Sequence, residues 1–387
     1  MEKMFKFFKK TEKQMINPED LLTKADYKKR LFKWMMLLAS AVLATLMCLL
    51  INYFVLKDVA NKPIVWNSQE VFALVIVIVF SIAAVVYSVL FFVVSSKVRY
   101  NDADQNKRNV IIAGVTAGFT DTISVGSFGI GTAILKGTKS IKDDTKLPGT
   151  LNVAFALSGT LEAALFVSAI EVDVATLLIL LASILVGTFV GSALVAKIKD
   201  PKIVKVSMGV VLFVVAIMMI LTHPHVNAIK QTDIGLATSL MDKAWRIIVG
   251  TIIFFFLGMV QSFGIGLFAP ALASLSFLGL KQEAIFPIMS CSSALSMFPA
   301  AFNFIRKKQY MQLTASLMQI FSVFGLIAAF LIVFVGIKSA LGAEGDALFQ
   351  AILKWLAIAV IFYVSITMLV EYYLLVKNKN KEIKVKG

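Results

Sequence analysis

Long apolar stretches divide this chain, at roughly 31–56, 70–96, 109–137, 148–170, 173–196, 203–222, 247–280, 284–305, 312–337 and 348–376. A helix needs about 20 apolar residues to cross the hydrocarbon core of a bilayer, so most of these stretches fit one crossing. A soluble fold has nowhere to put them. Of the 387 residues, 59% are hydrophobic and 16% charged, whereas an average soluble domain carries about 25% charged residues. The fold class expected is an all-α polytopic membrane protein. A soluble enzyme, a disulfide scaffold and a disordered chain are excluded. Cys48 and Cys291 both fall in apolar stretches and give neither a disulfide framework nor a metal pattern. His223 and His225 flank Pro224 in a connecting segment, which reads as a solvated loop. No catalytic residue, metal or cofactor is expected.

Two stretches do not read as one straight helix. Segment 109–137 contains Gly114, Gly118, Gly126, Gly129 and Gly131, and segment 247–280 contains Gly258, Gly264, Gly266 and Pro270. Each glycine inside a helix costs about 1 kcal/mol relative to alanine. Either both segments cross fully, or both are re-entrant hairpins that enter and leave on one side. The charge distribution separates these models. The chain carries 38 Lys+Arg against 23 Asp+Glu, a formal +15, and basic residues accumulate in cytoplasmic loops of membrane proteins. With the N-terminus inside, a full crossing by 109–137 would put Lys136, Lys139, Lys142 and Lys146 outside, together with Lys197, Lys199, Lys202 and Lys205. A hairpin puts both clusters inside, beside Lys97, Arg99, Lys107 and Arg108, and puts the acidic turn Glu171–Asp173 outside. A second hairpin also brings Arg306, Lys307, Lys308 and the tail from Lys377 inside. The exceptions, Lys57, Lys62, Lys230, Lys243, Arg246, Lys281 and Lys338, are scattered. The surplus of positive charge therefore reads as a cytoplasmic face, with no nucleic-acid partner.

One hairpin plus three crossings is an odd number of full spans, so the second unit starts on the opposite side. The expected architecture is two inverted repeats preceded by two extra transmembrane helices, and inverted repeats recur in transporters. The organisation is then 1–30, a cytoplasmic basic amphipathic segment in which Met4, Phe5 and Phe8 alternate with lysines; 31–100, two transmembrane helices; 109–222, repeat 1; 223–246, an extracellular linker; 247–376, repeat 2; and 377–387, a cytoplasmic basic tail. The N-terminal segment lies on anionic lipid or is a frayed tail. Ser127-Phe128-Gly129-Ile130-Gly131 recurs as Ser262-Phe263-Gly264-Ile265-Gly266, and Pro148 is echoed by Pro287.

Broken helices at membrane depth are tolerated where they are buried in protein or line a wet cavity. The second arm of each hairpin starts near Ser127 or Ser262, and free N–H groups at a helix start attract anions. Glycine lets an oxyanion approach the backbone. The candidate binding set is Ser127, Phe128, Gly129, Gly131, Thr150, Asn152, Gln261, Ser262, Gly264, Gly266, Ser290 and Ser292. The glycines also suit close helix packing, and hydroxyls such as Ser158, Thr160, Ser293 and Ser296 often bond back to the preceding turn. Two acids lie deep in the apolar stretches, Asp121 before the first break and Glu162 in the next helix. Intramembrane acids are costly and commonly functional, so both are candidates for proton coupling; the alternative is that Asp121 caps a half-helix and Glu162 joins a helix–helix network. The aligned positions in the second unit are Phe256 and Ala301.

Gly118-Phe119-Thr120-Asp121, the glycine-rich run after it, Gly149-Thr150-Leu151-Asn152, Gly264-Ile265-Gly266 and Ser290-Cys291-Ser292-Ser293 resemble the sulfite exporter TauE/SafE family of small-anion permeases. The resemblance runs over about 109–376 and leaves the first two spans as an addition. Two details depart from the family: its run of glycines is reduced to Gly126-Ser127-Phe128-Gly129-Ile130-Gly131, and Leu151 is inserted before Asn152. The resemblance implies a multi-pass plasma-membrane permease with both termini cytoplasmic. Its partners would be a small anion such as sulfite, sulfoacetate or another sulfonate, protons and membrane lipid, with a homodimer left open. A proton- or cation-coupled carrier of a neutral or cationic solute is the alternative. No Gly-x-x-x-x-Gly-Lys-Ser/Thr loop points to an ATPase.

Overall fold

Among the described residues the apolar stretches fold as helices, and both glycine-rich ones break. The computed structural model describes residues 21–51, 68–123, 126–140, 146–169, 172–195, 237–261 and 267–337, with parts of 206–226 and 348–377. The basic segment up to residue 20, Lys197–Lys205 and the end of the basic tail lie outside the described residues. The helices are α1 (Lys24–Leu50), α2 (Ser68–Ser95), α3 (Lys107–Thr122), α4 (Ser127–Gly137), α5 (Leu147–Ala169), α6 (Val174–Val195), α7 (Ala244–Gln261), α8 (Phe268–Phe277), α9 (Gln282–Arg306) and α10 (Gln312–Ala329), which continues as a π-helix over Phe330–Ile337. Among the described residues, seven helices are long and apolar enough to cross a membrane: α1, α2, α5, α6, α7, α9 and α10 with its π-helical end. Apart from two isolated bridges, the regular structure there is helical. α1 begins at Lys24, inside the stretch expected to lie on the surface, because the Thr23 hydroxyl accepts the Asp26 N–H and starts the helix there.

α5 and α9 form the centre. Every residue of α5 from Gly149 to Val167 is buried, the pattern of a helix surrounded by protein on all sides. The two helices run antiparallel. Phe166 stacks on Phe286 at 5.1 Å between ring centroids, and Gly159 faces Met297 near the other end of the contact. Outward faces of α1, α2, α6 and α7 expose Phe32, Leu43, Ile82, Phe189, Ile252 and Phe256. So broad an apolar exterior belongs against lipid.

Two other helix pairs are locked by glycine in matching ways. A Cβ at Gly118 on α3 would overlap the Ser322 carbonyl of α10, and one at Gly258 on α7 would overlap the Ile184 carbonyl of α6. On the reverse side of each contact, Gly325 meets Val115 and Phe119, and Gly191 meets Met259. Only hydrogen fits between these backbones, so glycine allows a close approach of a kind common in membrane helix pairs.

The loops gather at two ends. At one, Leu22 N–H reaches Lys97 O at 3.0 Å, Asn101 Nδ2 reaches Tyr310 O at 2.9 Å, and Met311 N–H reaches Thr150 Oγ1 at 2.9 Å. Asp102 accepts the Leu313 and Thr314 N–H groups and so caps α10 from the α2–α3 connection. α1, α3, α5 and α10 all begin here. At the other end, Asp173 accepts from Thr176 and Ser239, and Lys281 N–H reaches Ala237 O at 2.9 Å. α6, α7 and α9 begin there.

The first two helices are integral to this packing. Tyr87 Oη on α2 donates to Val153 O of α5 at 3.1 Å, and Gln319 Nε2 on α10 donates to Ser88 Oγ at 2.9 Å. Trp34 of α1 stacks on Phe92 at 5.0 Å and donates to Tyr100 Oη at 2.8 Å. The reading of these spans as an addition is corrected accordingly. α2 covers the central helix, an apolar contact that local sequence does not reveal.

Candidate functional site

The residues that follow the two breaks, Gly126 and Phe268, come together. Gly126, with φ 85°, ends the first break, and a Cβ placed on it would lie 3.7 Å from Phe268 Cβ at the start of α8. Gly126 adopts a backbone conformation that other residues rarely take, and it lets α4 start directly after the turn. α4 then runs back along α5: Gly131 packs against Leu151, Phe155 and Met318. In the second half, Gly250 near the start of α7 packs against Leu278 just past the end of α8.

Gly126 supplies no side-chain cap to α4. The cap comes from the other arm. Asp121 Oδ1 accepts the Ser127 N–H at 2.7 Å, which sets a carboxylate on the positive end of a helix. Asp121 Oδ2 is buried without a hydrogen-bond partner. The Ser127 hydroxyl approaches the carboxylate without closing a hydrogen bond.

Glu162 comes from the middle of α5. Its Oε1 accepts from Ser290 Oγ of α9 at 2.8 Å, and its Oε2 is buried and unpartnered. Asp121 lies within Coulombic reach of it. Gln261 closes α7, and its Oε1 lies 2.5 Å from Ser296 Oγ. Its Nε2, a donor, has no partner, and neither do the hydroxyls of Ser292 and Ser293, although all three residues are fully buried. Most buried polar atoms in folded proteins have partners, so a cluster of exceptions asks for a ligand or water.

Asp121 follows Gly118 as Gln261 follows Gly258, with two residues between each pair. The expected counterpart of Asp121, Phe256, is exposed on the outside of α7. Ala301, expected opposite Glu162, is buried and apolar.

The remaining expected residues are distributed as follows. Phe128 is buried against Phe155, and Gly129 is half-buried on α4. Thr150 lies at the start of α5, where its hydroxyl donates to Lys146 O and accepts from Met311 N–H. Asn152 Nδ2 donates back to Pro148 O at 2.9 Å, and Oδ1 is unpartnered. Both belong to the first turns of α5, well along the helix from Glu162. Ser158 and Thr160 bond back to the preceding turn. Ser262, Gly264 and Gly266 lie outside the described residues. Sequence reasoning passed over Gln319, which is fully buried with Oε1 unpartnered; a glutamine in an apolar run was the available signal. It also passed over Phe268, for which no local signal exists.

Seven membrane-length helices among the described residues, together with a buried polar cluster, define a multi-pass membrane protein. The chain belongs to the sulfite exporter TauE/SafE family, whose profile matches residues 23–219. The match includes α1 and α2, which the sequence resemblance had set outside, and it ends before α7. No curated protein and no solved structure matches the chain. Family membership implies a membrane transporter of sulfite-type anions.

Proposed function

We propose that the chain is a secondary permease for a small anion such as sulfite, sulfoacetate or another sulfonate, bound where the two breaks meet and moved together with protons. The observation that carries this reading is the set of buried donors without partners, Gln261 Nε2 and the hydroxyls of Ser292 and Ser293. An oxyanion accepts hydrogen bonds from such groups and needs no buried lysine or arginine. Asp121 and Glu162 are the groups able to carry the proton.

Two inverted units, each a hairpin and three crossings, make the alternating-access frame. The matching glycine contacts of α3 with α10 and of α7 with α6 support this reading, as does the start of α3 and α7 at opposite ends. The end bearing Arg30, Lys97, Lys107, Arg108, Lys146 and Arg306 is taken as cytoplasmic. That orientation puts both termini inside, in the plasma membrane.

The test is flux into proteoliposomes holding the purified full chain. Sulfite or sulfoacetate enters faster under an inward proton gradient, and Gln261→Ala slows entry about tenfold or more, as for loss of a hydrogen bond to a charged group. Equal flux in empty liposomes would remove the permease reading. The unpartnered Asp121 Oδ2 and Glu162 Oε2 favour a second reading, a carrier of a cationic or neutral solute that the carboxylates bind. Uptake of such a solute that sulfonates do not inhibit would select it.

A further inference from the structure

We infer that the Asp121 carboxylate is the resting occupant of the anion-binding start of α4, so that a substrate anion binds there only as Asp121 takes up a proton. The inference rests on the permease reading and specifies how proton and anion are linked at the same site.

A helix start of this kind is usually capped by the residue just before it, commonly Ser, Thr, Asp or Asn. Here that residue is Gly126, which brings no cap. The capping oxygen instead reaches over from α3, with Asp121 Oδ1 2.7 Å from Ser127 N. The cap and the helix it caps are thus on different arms of the break, and they can part without either helix unwinding. Asp121 is 1% exposed and its second oxygen has no partner. The carboxylate already satisfies the helix end as an incoming oxyanion would.

Two negative groups cannot share that end. Their repulsion is weakly screened away from water, and among the described residues no Lys or Arg is placed against Asp121. Glu162 of α5 lies within Coulombic reach of Asp121, Ser127 N–H of α4 is bonded to it, and Ser322 of α10 packs against Gly118 one turn before it on α3. The Cys291 thiol of α9 lies beside Glu162. Glu162 adds negative charge and further opposes a second anion. Adding a proton to an Asp121 oxygen removes one charge, weakens the hold on Ser127 N–H and leaves that N–H for the substrate. One proton then binds with each anion, so the site gains one negative charge fewer than the anion carries.

The other half has no such competitor. Gln261 stands where Asp121 stands, and an amide offers donors without a charge to displace. The two tips therefore divide the work: the Gln261 side supplies constant donors, and the Asp121 side makes binding conditional on a proton.

Sulfoacetate binding to the purified full chain, followed between about pH 6 and about pH 8 in weakly buffered solution with a pH indicator, tests this. Both acid groups of sulfoacetate stay ionised there, so any proton taken up is the protein's. Wild type is expected to take up one proton per anion, with affinity falling about tenfold per pH unit on the alkaline side. Asp121→Asn is expected to bind without proton uptake and with affinity independent of pH. Wild-type binding without uptake overturns the inference, whether or not the variant folds. Uptake that survives in Asp121→Asn and disappears in Glu162→Gln overturns it too. Failure of wild type to bind sulfoacetate or sulfite at any pH instead overturns the permease reading, and the latch with it.

Discussion

The Ser290 hydroxyl donates to Glu162 Oε1 at 2.8 Å, joining the two central helices at the only acid of α5. Both residues are buried. Without Ser290 the carboxyl would lose its one hydrogen-bond donor in a place that water does not reach through the helix faces.

Ser290→Ala should therefore destabilise the protein by about 1–3 kcal/mol, the cost of leaving a buried polar atom unmatched. The unfolding midpoint of purified protein in detergent measures this. Combining the change with Glu162→Gln in a double-mutant cycle should recover part of the loss, since the neutral amide is less costly to leave unmatched. Additive effects would mean that the two groups do not interact.

Gly118→Ala should be far more damaging than Gly137→Ala. A methyl at Gly118 overlaps backbone of Ser322, whereas nothing lies within 4 Å of one at Gly137. Separating α3 from α10 gives an effect on the order of 1–3 kcal/mol or more, typical of overpacking. Gly137→Ala should change stability by less than about 1 kcal/mol, near the helix-propensity difference. Similar midpoints for the two variants would show that α3 and α10 are not in close contact.

Lys139 and Lys281 are both exposed, at the ends of the two halves that the hairpin topology puts on opposite sides of the membrane. The native thiols, Cys48 and Cys291, are buried. In intact cells an impermeant thiol reagent should label Lys281→Cys and spare Lys139→Cys until the membrane is opened. Labelling of both from one side would overturn the paired hairpins.

Asp173 should make stability depend on pH at the acidic end. Burial alone would raise its pKa, but hydrogen bonds from Thr176 and Ser239 outweigh it and hold the carboxyl below its ordinary value of 3.8. A depressed folded-state pKa contributes stability that is present above the unfolded value and lost as pH falls through the folded one. Asp173→Asn should therefore lower the unfolding midpoint near neutrality, and the gap from wild type should close below about pH 4. A gap of constant size down to low pH would assign the effect to packing.

The sequence already carried the membrane class, because the length and apolar character of a spanning helix are local properties. The breaks after Asp121 and near Ser262 were legible for the same reason: glycine and polar residues in an apolar run change the local cost of a helix. The acids Asp121 and Glu162 stood out against their neighbours. For Asp121 the sequence left two readings, proton carrier or half-helix cap; that the N–H it accepts is that of Ser127 was not legible, since only the turn at Gly126 brings them together. Nor could the sequence show that α2 covers α5. Those relations depend on which backbones approach closely, and glycines such as Gly118 and Gly258 reveal that only when the opposing helix is in place. Composition and periodicity determined that the chain lives in a bilayer and where its helices fail. The tertiary structure decided what fills those failures, because a buried polar atom is satisfied or left wanting by residues far away in sequence.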